Sequence, residues 1–233
     1  KTQKLDEKAL HKHIMAMLED KFLELGTGFA LMGHEVKIWS FLQEEADIIN
    51  QKRKCKFLPM AIMPDNIVCT TNIQEAVENT DLILHVTPSK FFRSTLKQYK
   101  DYITTQPVII CSKGFEQETL STLSKVAEEE IPNVKIGALS GPSHAEEVCI
   151  DIPTAIVIAS KDEDVQYQVQ DTLMNENLRV YTSNDVEGVE LGGALKNIGM
   201  GCGSRAGKME QHRSGKPSVD LEKCKKCHLC AKN

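Results

Sequence analysis

Short apolar runs alternate with helix-length amphipathic stretches from Val36 to Thr182, and this alternation limits the chain most. The apolar runs are Val36 to Trp39, Asp81 to Thr87, Pro107 to Cys111, Lys135 to Ser140 and Thr154 to Ala159, with a weaker one at Arg179 to Thr182. Helical stretches lie between them at Glu44 to Asn50, Ile73 to Asn79, Phe91 to Tyr99, Gln117 to Glu130 and Asp162 to Met174. Strands that read as continuous apolar runs are buried on both faces, which requires helices on each side of a parallel sheet. The expected fold is therefore α/β with a doubly wound parallel sheet. In such sheets ligands bind beyond the carboxyl ends of the strands. Several runs here end in Thr-Pro-Ser, Ser-Lys-Gly or Ser-Gly-Pro turns at that place.

Outside this core the grammar differs. Leu10, Ile14, Met17, Leu18, Phe22 and Leu25 fall at helical spacing, so residues 1–25 read as a charged amphipathic helix. The α/β domain is expected over 26–199. From Gly199 the periodicity stops, and 200–233 reads as a short irregular Cys-rich tail. A net charge of −5 and 5% aromatic residues give no basic, base-stacking surface for nucleic acid. No apolar run is long enough to span a bilayer, and the first residues lack the apolar stretch of a signal peptide. Cys55, Cys69, Cys111, Cys149 and Cys202 are scattered and read as reduced thiols of a cytoplasmic protein.

Candidate chemistry gathers at the strand ends. Lys196 lies in Gly188-Val189-Glu190-Leu191-Gly192-Gly193-Ala194-Leu195-Lys196-Asn197, a helical run with little other charge. A lysine amine desolvated there has a lowered pKa and can trade protons near neutrality. Lys113, in the turn after an apolar strand, offers a point charge for phosphate; by itself it reads equally as an exposed loop lysine. Ser140-Gly141-Pro142-Ser143-His144-Ala145 offers a hydroxyl and backbone N–H groups opening a helix, an anion seat or an ordinary N-cap. His34 and His144 read as structural. Together the lysines and this turn suggest a site for a phosphorylated carbonyl substrate and a nicotinamide.

Residues 33–197 resemble the bacterial-type NAD(P)-dependent glycerol-3-phosphate dehydrogenases. The resemblance is carried by Gly33-His34-Glu35-Val36-Lys37-Ile38-Trp39, Phe57-Leu58-Pro59, Val86-Thr87-Pro88-Ser89 and Ser112-Lys113-Gly114. It continues through Leu139-Ser140-Gly141-Pro142-Ser143-His144-Ala145-Glu146-Glu147, Pro153-Thr154-Ala155, Arg179-Val180-Tyr181-Thr182-Ser183 and the Lys196 segment. It implies a Rossmann-like domain and reversible reduction of dihydroxyacetone phosphate to sn-glycerol 3-phosphate with NAD or NADP, a step toward glycerophospholipids. It also implies roles: Lys196 is the catalytic lysine, and Lys113 touches both coenzyme and substrate. Gly141 and Ser143 are implied substrate contacts, Ala145 a coenzyme contact, and Asn197 orients Lys196 or the substrate. The small-molecule substrate and a second copy of the chain are the expected partners.

Three features depart from the family. The place of the G-x-G-x-x-G turn holds Gly26-Thr27-Gly28 with no third glycine, so Gly26 and Gly28 are candidate coenzyme contacts while Gly26 equally suits a helix C-cap. The first strand before them looks atypical. Ser40 and Phe41 follow Trp39, without a carboxylate for a ribose hydroxyl or an arginine for a 2′-phosphate, so coenzyme choice stays open. After Asn197 the family's helical domain gives way to Cys224-Lys225-Lys226-Cys227-His228-Leu229-Cys230, a C-x₂-C-x₂-C run. This tail resembles a ferredoxin-like segment of an uncharacterised iron–sulfur family. Cys224, Cys227 and Cys230 are thus candidate metal ligands for a [4Fe–4S] cluster that needs a fourth ligand from elsewhere, or a severed motif holding no metal. The switch near Gly192 to Gly199 reads as a join of two sequences or a true fusion. On these grounds little or no turnover is expected from this chain, and an iron–sulfur electron-transfer protein is the alternative reading.

Overall fold

The computed structural model describes residues 13–17, 33–54, 63–141 and 153–205, with residues 13, 14, 16, 17 and 196–205 as backbone. The strands are β1 (His13–Met17), β2 (Glu35–Trp39), β3 (Ile67–Thr70), β4 (Leu82–His85), β5 (Val108–Ile110), β6 (Ile136–Ser140), β7 (Thr154–Ser160) and β8 (Leu178–Ser183). The helices are α1 (Gln43–Lys52), α2 (Ile73–Val77), α3 (Phe92–Tyr99), α4 (Leu123–Glu130), α5 (Glu163–Leu173) and α6 (Val186–Arg205).

One sheet carries these strands in the order β3-β2-β1-β4-β5-β6-β7-β8. Neighbours run parallel except at β6 and β7, where Leu139 faces Ile158 in an antiparallel register. The two last strands therefore run against the rest. The first six form the doubly wound order in which the chain leaves β1 and β4 on opposite sides. All of β4 and β5 is buried, which explains why Leu-Ile-Leu-His and Val-Ile-Ile show no polar alternation.

Each face of the sheet has its own core. Ala46 and Ile49 of α1 and Val165, Val169 and Leu173 of α5 pack with Ile38, Leu84 and Ile109. On the other face Ala76 of α2, Phe92, Leu96 and Tyr99 of α3, and Val126 of α4 pack with Met15, Ile83 and Ile110. Val186 and Val189 of α6 cover Ala138 and Ala159 at the β6–β7 junction. Side-chain caps set helix starts: Asn72 accepts from the N–H groups of Gln74 and Glu75, and Asp162 from those of Asp164 and Val165.

Several expectations need correction. Residues 13–17 are a strand and not part of an amphipathic helix, so the sheet begins before residue 26. The helical spacing there is local, whereas pairing with both β2 and β4 satisfies this backbone on each side and buries Met15 completely. The segment lies centrally, where an α/β domain places its first strand. The sheet is not wholly parallel. The irregular tail does not begin at residue 200, because the α6 backbone stays helical to Arg205. Strand β3 was not among the expected strands: its apolar run, Ile67-Val68-Cys69, is only three residues long between Asn66 and Thr70.

Candidate active site

The turns that leave β4, β5 and β6 meet at one end of the sheet. The Ser112 hydroxyl donates to the carbonyl of His85 at 3.3 Å and to that of Thr87, joining the first two turns. Gly114 has φ +118°, and a Cβ there would lie 3.1 Å from Ser89 Oγ. The turn carrying Lys113 thus needs a glycine both for its backbone and for its fit against Ser89. On the third side α6 approaches β6: a Cβ on Gly193 would lie 2.6 Å from Ser140 Oγ and 3.8 Å from Lys113 Cγ. Gly193 therefore marks the part of α6 that faces the Lys113 turn. Lys196 and Asn197 follow it by three and four positions, one turn further along the same side of the helix.

Two supports lie beneath these turns. The first is neutral and buried. His85 Nδ1 is 2.8 Å from the Tyr99 hydroxyl, and Nε2 is 2.7 Å from Thr87 Oγ1. Burial holds the imidazole uncharged, with its pKa lowered to about 3, and keeps the Tyr99 phenol protonated. Cys111, whose N–H donates to the His85 carbonyl while its side chain lies in the core of the opposite face, has its thiol pushed up to about 12 by burial despite the opposing charge of Lys113. The second support is ionic. Arg93 donates to both carboxylate oxygens of Glu116 at 2.6 and 2.8 Å, and to Glu129 and Glu130 at 2.8 Å. Hydrogen bonding from Arg93 lowers the Glu116 pKa to about 2. Glu116 stands three residues after Lys113, so the ion network ties that turn to α3 and α4.

Helix α6 is anchored by Glu190. Its carboxylate accepts from the Ser124 N–H at 2.9 Å and from the Ser124 hydroxyl, capping the start of α4. Burial raises its pKa while these hydrogen bonds oppose the rise. Glu190 precedes Gly193 by one turn, so the anchor fixes how α6 is presented to Lys113.

Comparisons with known proteins agree with this architecture. Residues 23–166 match the family described as NAD-dependent glycerol-3-phosphate dehydrogenase N-terminus. This chain belongs to that family. Glycerol-3-phosphate dehydrogenase [NAD(P)+] 2 of Lactobacillus delbrueckii subsp. bulgaricus is 46% identical over 173 residues, covering 71% of this chain and 51% of that protein. The Fusobacterium nucleatum glycerol-3-phosphate dehydrogenase [NAD(P)+] is 44% identical over 171 residues, with the same coverages of 71% and 51%. The chain spans about half the length of these curated relatives. Among solved structures, the Coxiella burnetii glycerol-3-phosphate dehydrogenase superposes with a TM-score of 0.78 at 26% identity, over 84% of this chain and 62% of that one. Nothing found supports the iron–sulfur alternative.

Of the dehydrogenase-type residues expected from the sequence, the structure brings Lys113 and Gly141 to the strand ends and places Lys196 and Asn197 on α6 through the backbone. Gly141 has a packing reason of its own: a Cβ there would lie 2.8 Å from the Ala155 carbonyl and 2.9 Å from Ile156 Cα. Gly26, Gly28, Ser143, Ala145, Cys224, Cys227 and Cys230 lie outside the described residues, as does Phe57-Leu58-Pro59. His34 is buried, with Nε2 3.0 Å from the Thr172 carbonyl, which ties the turn before β2 to α5. Sequence reasoning missed His85, Arg93, Glu116 and Glu190. A histidine inside Leu82-Ile83-Leu84-His85-Val86 was the available signal for the first. The others depend on contacts between distant elements.

The strand ends also fit a dinucleotide. Strands β1 and β4 are neighbours, which opens the crevice where such coenzymes lie in this topology. At the end of β2 the fully buried Ser40 hydroxyl donates to Glu45 Oε2 at 2.8 Å. The absence of a carboxylate directly after Trp39 is thereby corrected in space: the first turn of α1 returns one to the strand end. A hydroxyl bound to a carboxylate suits the diol of a ribose. Among the described residues no helix is long and apolar enough to cross a membrane.

Proposed function

We propose that this chain works as the coenzyme-binding part of a glycerol-3-phosphate dehydrogenase, reducing dihydroxyacetone phosphate to sn-glycerol 3-phosphate and running in reverse. One observation carries the proposal: Lys113, Ser140 and Gly193 meet at the carboxyl ends of β5 and β6, with Lys196 one helical turn beyond. Bound NADH or NADPH supplies the hydride to the carbonyl carbon. The Lys196 ammonium gives a proton to the carbonyl oxygen as charge develops there, and its amine takes that proton back from the alcohol in reverse. The Lys113 ammonium balances phosphate charge, within a turn held rigid by Ser112, Gly114 and Glu116. Gly141 and Ser143 contact the substrate, and Asn197 orients it or Lys196. Gly26, Gly28 and Ala145 approach the coenzyme.

The buried cysteines Cys69 and Cys111 suit a reducing, cytoplasmic setting, and a homodimer belongs to the same reading. The test uses high protein concentrations, because slow turnover is expected. NADH oxidation should depend on dihydroxyacetone phosphate and fall about 10²-fold or more in Lys196→Ala, while NADH still binds. Equal rates for parent and variant would overturn the role of Lys196.

A further inference from the structure

We infer that this chain discriminates in favour of NAD(H) and against NADP(H), with the Glu45 carboxylate and the lack of lysine or arginine in the described residues 40–51 that follow β2 as the determinants. The inference rests on the coenzyme reading above and says which of two coenzymes that site accepts.

The adenosine ribose of a dinucleotide lies beyond the end of β2 in this topology, and the two coenzymes differ only by a phosphate on its 2′-oxygen. A 2′-phosphate needs a cation there, whereas a free 2′-hydroxyl needs an acceptor. Residues 40–51 contain no lysine or arginine, and they carry Glu44, Glu45 and Asp47. The adjoining segment after β3, residues 70–78, also lacks a cation and carries Glu75 and Glu78. Lys37 is the nearest cation within the described β2, and it is committed elsewhere: its ammonium donates to the carbonyls of Glu75 and Glu78 at 3.1 and 2.7 Å. Those carbonyls belong to the C-terminal end of α2, a favourable seat for a cation.

Glu45 is held in place rather than merely nearby. Ser40 Oγ donates to its Oε2 at 2.8 Å, and the Leu42 N–H donates to Ser40 Oγ at 3.2 Å. One carboxylate oxygen is thus used internally and the other can accept from a ribose hydroxyl. A phosphate brought to the same place meets a fixed like charge, which repels it. Phe41 is 81% exposed, so nothing in the packing prevents a cation at that position.

The protein contains its own reporter. Trp39 is the single tryptophan and ends β2, with its indole N–H bonded to the Thr71 carbonyl at 3.1 Å. Titrating the full chain with NADH and separately with NADPH, and following Trp39 emission, measures both affinities without turnover. NADH should bind about tenfold more tightly than NADPH at low salt, with the gap narrowing as salt screens the carboxylate. Glu45→Gln keeps an acceptor for Ser40 while removing the charge, and should narrow the gap by raising NADPH affinity. Phe41→Arg, at an exposed position that leaves the core untouched, should narrow it further or reverse it. Equal affinities in the parent chain, tighter NADPH binding, or a gap unchanged in both variants overturns the inference while leaving the coenzyme site standing. Binding of neither coenzyme overturns the coenzyme reading itself and this inference with it.

Discussion

The two supports under the crevice use opposite electrostatics, although one helix supplies a residue to each. Tyr99 of α3 faces inward and bonds the buried, neutral His85, whereas Arg93 of the same helix reaches Glu116, Glu129 and Glu130 near solvent. The neutral chain fixes the turn after β4 by shape and hydrogen bonds in a place water does not enter. The ionic network fixes the turn after β5 by charge, where water and salt compete. The turn carrying Lys113 is thus braced from below by a salt-insensitive support and from the side by a salt-sensitive one. A neutral underside and a paired periphery together hold that turn in place.

The sharpest break in this comparison is His85→Leu. It leaves the Tyr99 hydroxyl and Thr87 Oγ1 buried without their partner and should cost about 3 kcal/mol in denaturant unfolding, nearly independent of salt. Arg93→Met should cost about 2 kcal/mol, because the mostly buried Glu116 and Glu130 side chains lose their main partner. Unlike the first loss, this one should shrink as salt is raised.

Acid titration separates the supports further. His85 has a folded pKa of about 3 against 6.5 when unfolded, so its contribution is complete above pH 6.5 and is lost as pH falls from 6.5 toward 3. Glu116 has a folded pKa of about 2 against 4.5, so its contribution is complete above pH 4.5 and is lost between 4.5 and 2. Stability measured against pH should flatten in the upper window for His85→Leu and in the lower window for Arg93→Met. The same slope in both variants would show that the supports are not separate. The smallest effect is expected from Thr119→Val, which removes one exposed hydrogen bond to Glu116 at 2.7 Å. It should cost about 0.5–1 kcal/mol, confined to the ionic side.

How far the sequence could be read depends on the residue. Leu82-Ile83-Leu84 and Val108-Ile109-Ile110 declared themselves, because a strand covered by helices on both faces leaves no room for polar side chains. The Lys113 and Ser140 turns were legible because each directly follows such a strand. Met15 was misread, since the five residues of β1 sit among apolar positions at helical spacing and only pairing with β2 and β4 decides their state. The reversal of β7 was hidden for a related reason: an apolar strand carries no mark of its direction. Glu45 was overlooked because a carboxylate was sought directly after Trp39, while the fold brings one to that strand end from the next helix.

By itself the sequence determined the α/β class, most of the buried strands, the strand-end lysine at position 113, and the family through ordered motifs from Gly33 to Asn197. These are properties of neighbouring residues, set by burial on two faces and by the chemistry of short turns. Tertiary structure alone decided that His13–Met17 is a central strand and that the last two strands run backward. It also decided that Glu190 caps α4 to aim α6 at Lys113, and that Glu45 reaches the end of β2. Each of these depends on a partner made available only by packing, and a hydrogen bond between distant segments leaves no periodicity in the chain that forms it.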